Sequence, residues 1–360
     1  MSRPGNEVAD IIKRFGQSFA AVFNPNAYQK SVLQAISQCR TSSLGGHKYR
    51  CPNCNSEQIS YNSCRNRHCP KCQVYKQAFW VEDRMSSAYK CKHYHMVFTV
   101  PEELNALCVQ NSSCFYNLMF ASVWETLQQF GYTKYGVETG AICILHTWGQ
   151  NLSLHPHIHC IVPSLGYSIN GEMKHVGKNG KYLFPVRQLS VVFKTKFLGA
   201  VSKHIKCKDH RLISKAWEKP WVIFCEPSMT GAQHVMRYFG SYVHRVAISN
   251  SRIVSIDGDS VVFKLKDYRD DGNTKTIRLK GEEFLRRFCM HILGKGFVKI
   301  RYYGIYSVRF RSRVHKDKIE IKVPETTLER IKRLTDIDIC LCPKCKKGKP
   351  VIVEILPRVR

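Results

Sequence analysis

The stretch His155-Pro156-His157-Ile158-His159-Cys160-Ile161-Val162 places histidines at every second position. Successive side chains of a β-strand point to opposite faces, so the three imidazoles share one face while Ile158 and Cys160 share the other. One face is therefore polar and the opposite one belongs to a core. Two imidazoles at i and i+2, here His157 and His159, can hold one divalent ion and leave coordination positions open for phosphate oxygens. The alternative is a strand whose histidines are only a hydrogen-bonded surface feature. Upstream, Gly140 to Thr147 (GAICILHT) reads as a second strand, and the short polar connection around Gln150 and Asn151 implies an antiparallel hairpin. Gln150, before His157 on the preceding strand or its turn, is the candidate third ligand across that hairpin. His146 and His155 compete for the same role.

Working outward, His95 to Val100 reads as a buried strand stopped by Pro101, and residues 112–130 as an amphipathic helix ending at Gly131. Helix is expected at 188–205, 231–245 and 281–293. A meander begins at Arg252, with turns at Asp257-Gly258-Asp259 and Asp270-Asp271-Gly272-Asn273. The first forty residues form two helical segments broken at Asn24 to Asn26. No internal repeat or low-complexity tract interrupts this layout.

Residues 45–73 are poor in aliphatic side chains and cannot build a hydrophobic core, so a metal is expected in its place. Cys51-Pro-Asn-Cys54 and Cys69-Pro-Lys-Cys72 have the spacing of a four-cysteine zinc site. Cys39, His47, Cys64 and His68 lie close by and offer ligands for a second zinc. Four sulfurs leave no open position, so these ions are structural. Cys340, Cys342 and Cys345 make a weaker case, half of a ribbon with no second pair after it. Arg65, Arg67 and Lys71 suggest that the zinc knuckle touches DNA.

The chain has 360 residues, 17 of them cysteine, and its 56 Lys and Arg against 27 Asp and Glu give a formal charge of +29. Hydrophobic residues make up 44% and aromatic residues 11%, enough for packed cores, which excludes a basic disordered tail. So large an excess of positive charge implies a polyanionic partner, and nucleic acid fits better than a membrane surface. No apolar run approaches the roughly 18 residues of a spanning helix, and the start lacks a signal peptide's apolar block. A soluble, cytoplasmic protein is expected, with no membrane partner. Residues 241–360 carry 28 Lys and Arg against 14 Asp and Glu. Within them Lys295 to Arg313 interleaves cations with Tyr and Phe, as a surface for single-stranded DNA does. The alternative is a solvated strand face with its aromatics in the core.

Farther along, Gln233 to Arg245 reads as a helix with Tyr238 and Tyr242 four apart on one face, among Arg237, His244 and Arg245. A tyrosine phenolate is a competent nucleophile toward phosphorus when a metal polarises the scissile phosphate. Three blocks now stand in order: YNSCRNRHCPKC (61–72), WGQNLSLHPHIHCIVP (148–163) and RYFGSYVHRVAISNSRI (237–253) leading into VFKLKDYRDDG (262–272). Together they resemble the rolling-circle insertion-sequence transposases of the His-hydrophobic-His (HUH) type with two catalytic tyrosines, and the resemblance covers nearly the whole chain.

The resemblance implies an α+β fold, with a central antiparallel sheet flanked by helices, a small N-terminal zinc-binding domain and a basic C-terminal region. The expected divisions are 1–85 (helical lead-in and zinc-binding domain), 86–275 (endonuclease domain) and 276–360 (basic DNA-binding region). Carried over by motif, His157 and His159 are the paired ligands of Mg²⁺ or Mn²⁺, and Tyr238 and Tyr242 are the nucleophiles. Arg65, Arg67, Arg237, Arg245 and Arg252 are candidate DNA contacts. The implied activity is metal-dependent cleavage and strand transfer on single-stranded DNA at element ends and target. It proceeds through 5′-phosphotyrosine intermediates, without ATP, in a bacterial cytoplasm and at the nucleoid when acting. A replication initiator or relaxase uses the same chemistry, but the sequence lacks a helicase phosphate loop. A zinc-containing DNA-binding regulator without catalysis is the reading from another class.

Overall fold

A computed structural model of the chain describes residues 5–73, 79–83, 89, 91–177, 183–207, 209–226, 246–267, 270–310 and 325–359. In chain order the elements used below are α1 (Val8–Phe23), α2 (Ala27–Ser37), β1 (Gly46–Arg50), β2 (Glu57–Tyr61), β3 (His93–Thr99), α3 (Ser112–Tyr135), β4 (Gly140–Trp148), β5 (Leu154–Pro163), α4 (Val186–His204), α5 (His210–Glu218) and β6 (Ile223–Cys225). They continue with β7 (Ile253–Asp257), β8 (Ser260–Asp267), β9 (Asn273–Lys280), α6 (Gly281–Met290), β10 (Ile300–Gly304), α7 (Thr327–Thr335) and β11 (Val351–Leu356). No helix among the described residues is long and apolar enough to cross a membrane.

The chain forms two units, neither continuous in sequence. One holds Met1–Phe79, His244–Ile292 and Glu320–Arg360, the other Trp80–Val243 and Leu293–Ile319. The boundaries expected at 85 and 275 are therefore not where the contacts divide. The meander and α6 belong with the N-terminal helices because α6 packs on α1. At Gly281 a Cβ would lie 2.5 Å or less from three ring atoms of Phe15, so only glycine permits this approach. The Val8 N–H donates to Asn250 Oδ1 (3.1 Å) and Gln29 Nε2 donates to the Cys289 carbonyl (3.1 Å). The break between α1 and α2 is where the asparagines predict it. Asn24 caps α1 in the left-handed region (φ +41°), and Asn26 with Gln29 forms a reciprocal box at the start of α2.

In the second unit, among the described residues, five strands form an antiparallel sheet in the order β10-β4-β5-β3-β6. The histidine strand β5 is central. Ile158, Cys160 and Val162 of β5 join Tyr94, Met96 and Phe98 of β3 in a core covered by α3 and α4. Phe115 of α3 meets Phe197 of α4 edge to face with ring centroids 5.1 Å apart, and Phe98 meets Phe193 at 5.2 Å. The other face carries the histidines beside a smaller cluster of Ile142, Ile144, Ile161, Leu165, Ile305 and Tyr306. The strict alternation of β5 thus separates a metal-competent face from an apolar one.

One expectation changes, and one open alternative is decided. Helix α3 does not stop at Gly131 but runs to Tyr135 and ends on Gly136, which adopts the left-handed conformation (φ +64°). Gly131 is instead a close approach, where a Cβ would meet the Val137 carbonyl oxygen at 2.9 Å. Of the two readings open for the segment after Lys295, its described residues 295–310 take the strand with inward-packed aromatics, at the edge of the sheet. Tyr303 stacks on Trp124 at 5.2 Å, Tyr306 is buried against His93 Nε2 (2.7 Å), and Arg301 lies over the Phe120 ring at 4.1 Å.

Gly304 closes β10 with φ +53°, and a Cβ there would overlap the Thr139 carbonyl oxygen. Gly304→Ala combines left-handed strain with a backbone clash, so a loss of about 2 kcal/mol is expected. For a unit of this size that corresponds to a melting midpoint lower by about 4–8 °C in a thermal scan. An unchanged midpoint would contradict the packing described at this corner.

Candidate active site and metal centres

On the polar face of the sheet the register sets His146 opposite His157 and Ile144 opposite His159. The ligand atoms of His146, His157 and His159 all lie within 4.8 Å of one another. His146 and His159 are buried, and His157 is half-buried at the open end. Each strand contributes through its alternation, and β4 supplies the third imidazole.

An imidazole ligates a metal through a nitrogen without a proton, and the other nitrogen decides which one that is. His157 Nδ1 lies 2.6 Å from the His155 carbonyl oxygen, so Nδ1 carries the hydrogen and Nε2 keeps its lone pair. His159 Nδ1 lies 2.9 Å from His95 Nε2, and His95 Nδ1 lies 3.0 Å from Glu226 Oε2. A carboxylate only accepts, so His95 donates from Nδ1 to Glu226. Its Nε2 then accepts from His159 Nδ1–H, and the lone pair of His159 is left on Nε2. Burial lowers His95 below the usual imidazole range although Glu226 pulls the other way, which keeps His95 neutral as this relay requires. Burial likewise pushes His157 down to about 4, with the hydrogen bond to His155 opposing it. Neutral imidazoles whose Nδ1 is already engaged are suited to one divalent cation.

Of the expected ligands, His157 and His159 lie together, and the imidazole that joins them is His146. Gln150 lies in the connection beyond Trp148, between β4 and β5. His155 is exposed and serves through its carbonyl. Tyr238, Tyr242, Arg237 and Arg245 lie outside the described residues. His95 and Glu226 were not anticipated. The available signal was that His93 and His95 repeat the period of two on β3, which pairs with β5.

The cysteines regroup. Cys39, Cys64, Cys69 and Cys72 form one quartet, and Cys51 and Cys54 lie with Cys342 and Cys345 in another. The expected site of Cys51, Cys54, Cys69 and Cys72 is therefore not formed. The hairpin explains why: the Cys51-x-x-Cys54 turn joins β1 to β2, while Cys39 and Cys64 flank the hairpin's other end. Five-residue strands separate those ends by roughly 17 Å. In the first quartet the Cys39 and Cys72 sulfurs are 3.5 Å apart and those of Cys64 and Cys72 3.7 Å. Zinc–sulfur bonds of about 2.3 Å in a tetrahedron set sulfurs about 3.8 Å apart, so the quartet fits zinc. His47, on β1, and His68, near Arg67 Nε (3.4 Å), belong to neither quartet.

Beside the first quartet runs a groove of about 1370 Å³, lined by Arg40, Tyr49, Tyr61, Asn62, Arg65 and Arg358 among others, with no Asp or Glu among its described lining residues. Arg65 is exposed there. Other expected DNA contacts are occupied within the fold. Lys71 pairs with Glu7 at 2.7 Å, both largely buried. Arg67 is half-buried, and burial lowers its pKa. Arg252 donates to the Lys264 carbonyl (2.7 Å) and lies over Phe263.

Comparison with known proteins gives two family matches, "Putative transposase" over residues 140–314 and "Transposase zinc-binding domain" over residues 11–100. Among curated proteins, "Putative transposase y4qJ" of Sinorhizobium fredii is 37% identical over 100% of this chain and 98% of its own length. "Transposase for insertion sequence element IS801" of Pseudomonas savastanoi pv. phaseolicola is 27% identical over 75% of this chain and 68% of its own length. No solved structure matches the chain.

The relay through His95 has a measurable consequence. Glu226→Gln and His95→Ala are each expected to weaken Mn²⁺ binding at the histidine cluster about 10- to 100-fold, as loss of an outer-shell partner does. Titration followed by the Mn²⁺ paramagnetic signal reads this affinity. Wild-type affinity in Glu226→Gln would show that the carboxylate does not set the tautomer.

Proposed function

The chain belongs to the IS91 family of insertion-sequence transposases, with a transposase zinc-binding domain in its N-terminal part, and from that premise we propose that it cleaves and rejoins single-stranded DNA at element ends through 5′-phosphotyrosine intermediates. The observation that carries this reading is the cluster of His146, His157 and His159 on the sheet face, with Nδ1 of both His157 and His159 already engaged. A purely DNA-binding regulator has no need of three convergent imidazoles, two of them of fixed tautomer.

His157 and His159, with His146, Gln150 or both completing the set, would hold Mg²⁺ or Mn²⁺. That ion would polarise the scissile phosphate and withdraw charge from the leaving oxygen. The nucleophiles in this reading are Tyr238 and Tyr242. A phenolate oxygen of one attacks phosphorus in line, the new O–P bond forms as the P–O3′ bond breaks, and the leaving 3′ oxygen takes up a proton. The protein then holds a 5′-phosphotyrosine beside a free 3′-OH. The phosphodiester energy is kept in the ester, so attack by a 3′-OH on the phosphotyrosine rejoins DNA without a nucleotide cofactor. Two tyrosines allow one to retain the element's end while the other opens a second strand, which is the chemical use of having both. The basic groove with Arg40, Arg65 and Arg358 would give the phosphates of the strand a path with no carboxylate among its described lining residues. The protein would act at the nucleoid.

A labelled single-stranded oligonucleotide carrying an element end tests the nucleophiles. Tyr238→Phe and Tyr242→Phe are each expected to lose one class of covalent protein–DNA adduct, and the double variant all of them. Adducts persisting in the double variant would place the nucleophile elsewhere. Separately, replacing Arg40, Arg65 and Arg358 by Ala is expected to weaken single-strand binding and flatten its salt dependence by roughly 0.7 in log–log slope per lost phosphate contact. An unchanged slope would remove the groove from the DNA path.

A further inference from the structure

The sulfurs of Cys51 and Cys345 lie 3.7 Å apart, as do those of Cys54 and Cys342, and all four fall within 4.8 Å of one another. The zinc-binding family match ends at residue 100 and the transposase match at 314, so neither reaches Cys342 or Cys345. We propose that these four cysteines form a second four-thiolate zinc site, which fastens the C-terminal segment to the β1–β2 hairpin.

The two halves are copies of one turn. In Cys51-Pro52-Asn53-Cys54 the Asn55 N–H donates to the Cys51 carbonyl (2.8 Å), and Asn55 is left-handed with φ +52°. In Cys342-Pro343-Lys344-Cys345 the Lys346 N–H donates to the Cys342 carbonyl (2.8 Å), and Lys346 is left-handed with φ +55°. The N–H of each leading cysteine is also tied, Cys51 to the Ser56 carbonyl (3.0 Å) and Cys342 to that of Gly348 (2.8 Å). Each turn therefore presents two sulfurs, and the turns face one another, which is what a closed tetrahedral site requires. The surroundings are built for thiolates. The Gly348 N–H points at Cys345 Sγ (3.4 Å), and the Ser56 hydroxyl lies 3.1 Å from Cys54 Sγ and 3.3 Å from Cys342 Sγ. A Cβ on Gly348 would come within 2.5 Å of Cys51 Sγ, so glycine lets the two turns close.

The local sheet cannot hold itself. Strand β11 pairs with β1, yet five of its six residues are exposed, and every residue of β2 is exposed. Val351 is 53% and Ile355 72% solvent-accessible, so this three-stranded sheet buries little apolar surface. A small sheet without a covering layer needs another stabiliser, and four thiolates on one zinc supply it. Cys54 and Cys342 stand 288 positions apart in sequence, so the ion joins distant segments at the place where β1 and β11 pair. With four sulfurs the site has no open position and serves architecture. It is independent of the endonuclease reading.

The test uses the full chain, desalted and analysed for zinc by mass spectrometry of the digested protein. C342S/C345S is expected to hold one zinc fewer per chain than wild type, and C39S/C72S, which breaks the other quartet, also one fewer. In C342S/C345S, limited proteolysis should release the segment after residue 325 while the second unit survives. Wild-type zinc content in C342S/C345S would overturn the proposal. Should that variant not fold, wild-type protein reloaded with Co²⁺ decides the matter. Two equivalents with thiolate-to-cobalt charge transfer are expected, and a single such equivalent would overturn the second site.

Discussion

An imidazole can ligate a metal only through a nitrogen that carries no proton, and the histidine face of the sheet is arranged around that constraint. For His157 and His159 the fold answers that constraint from the other side of each ring. One Nδ1 gives its hydrogen to a backbone carbonyl, the other to a relay that ends on the Glu226 carboxylate. Both arrangements follow from β5 being central. Its neighbour β3 brings His95 alongside His159, β4 brings His146 opposite His157, and the reverse face is sealed by α3 and α4. Moving β5 by one residue in register would turn the histidines into the apolar core and break every one of these relations.

The other unit meets a different constraint. Its hairpin and its C-terminal strand have too few buried side chains to be held by apolar packing, and cysteine quartets stand where a core would be. The five-residue strands of the hairpin decide the partition of ligands, since they put the Cys51 and Cys64 ends too far apart for one ion. Each end then recruits partners from elsewhere in the chain, Cys39 before the hairpin and Cys342 and Cys345 near the C-terminus.

Much of this was legible from period and punctuation. The alternation 155–162 marks a strand with one polar and one apolar face, Asn24 and Asn26 mark the gap between α1 and α2, and the meander's turns fall at its Asp-Gly signals. Where the residues mislead or leave two readings open, the cause is physical. Gly131 looks like a helix stop, but glycine also serves where a chain passes close, and sequence does not separate the two uses. Cations interleaved with aromatics after Lys295 look the same on a nucleic-acid surface and on a sheet edge whose rings are buried, as Tyr303 and Tyr306 are packed here. Spacing alone pairs Cys51-x-x-Cys54 with its neighbour in sequence, because nothing local announces a partner 288 positions away. His95 and Glu226 act through contacts made only once β3 lies beside β5.

The most direct test of the central claim is the rate of cleavage of a single-stranded element-end oligonucleotide by wild type and by His157→Ala/His159→Ala, with Mg²⁺ and with chelator, alongside binding of the same oligonucleotide. The account predicts metal-dependent cleavage by wild type, none by the variant, and comparable binding by both. Cleavage that survives either the variant or the chelator would contradict it.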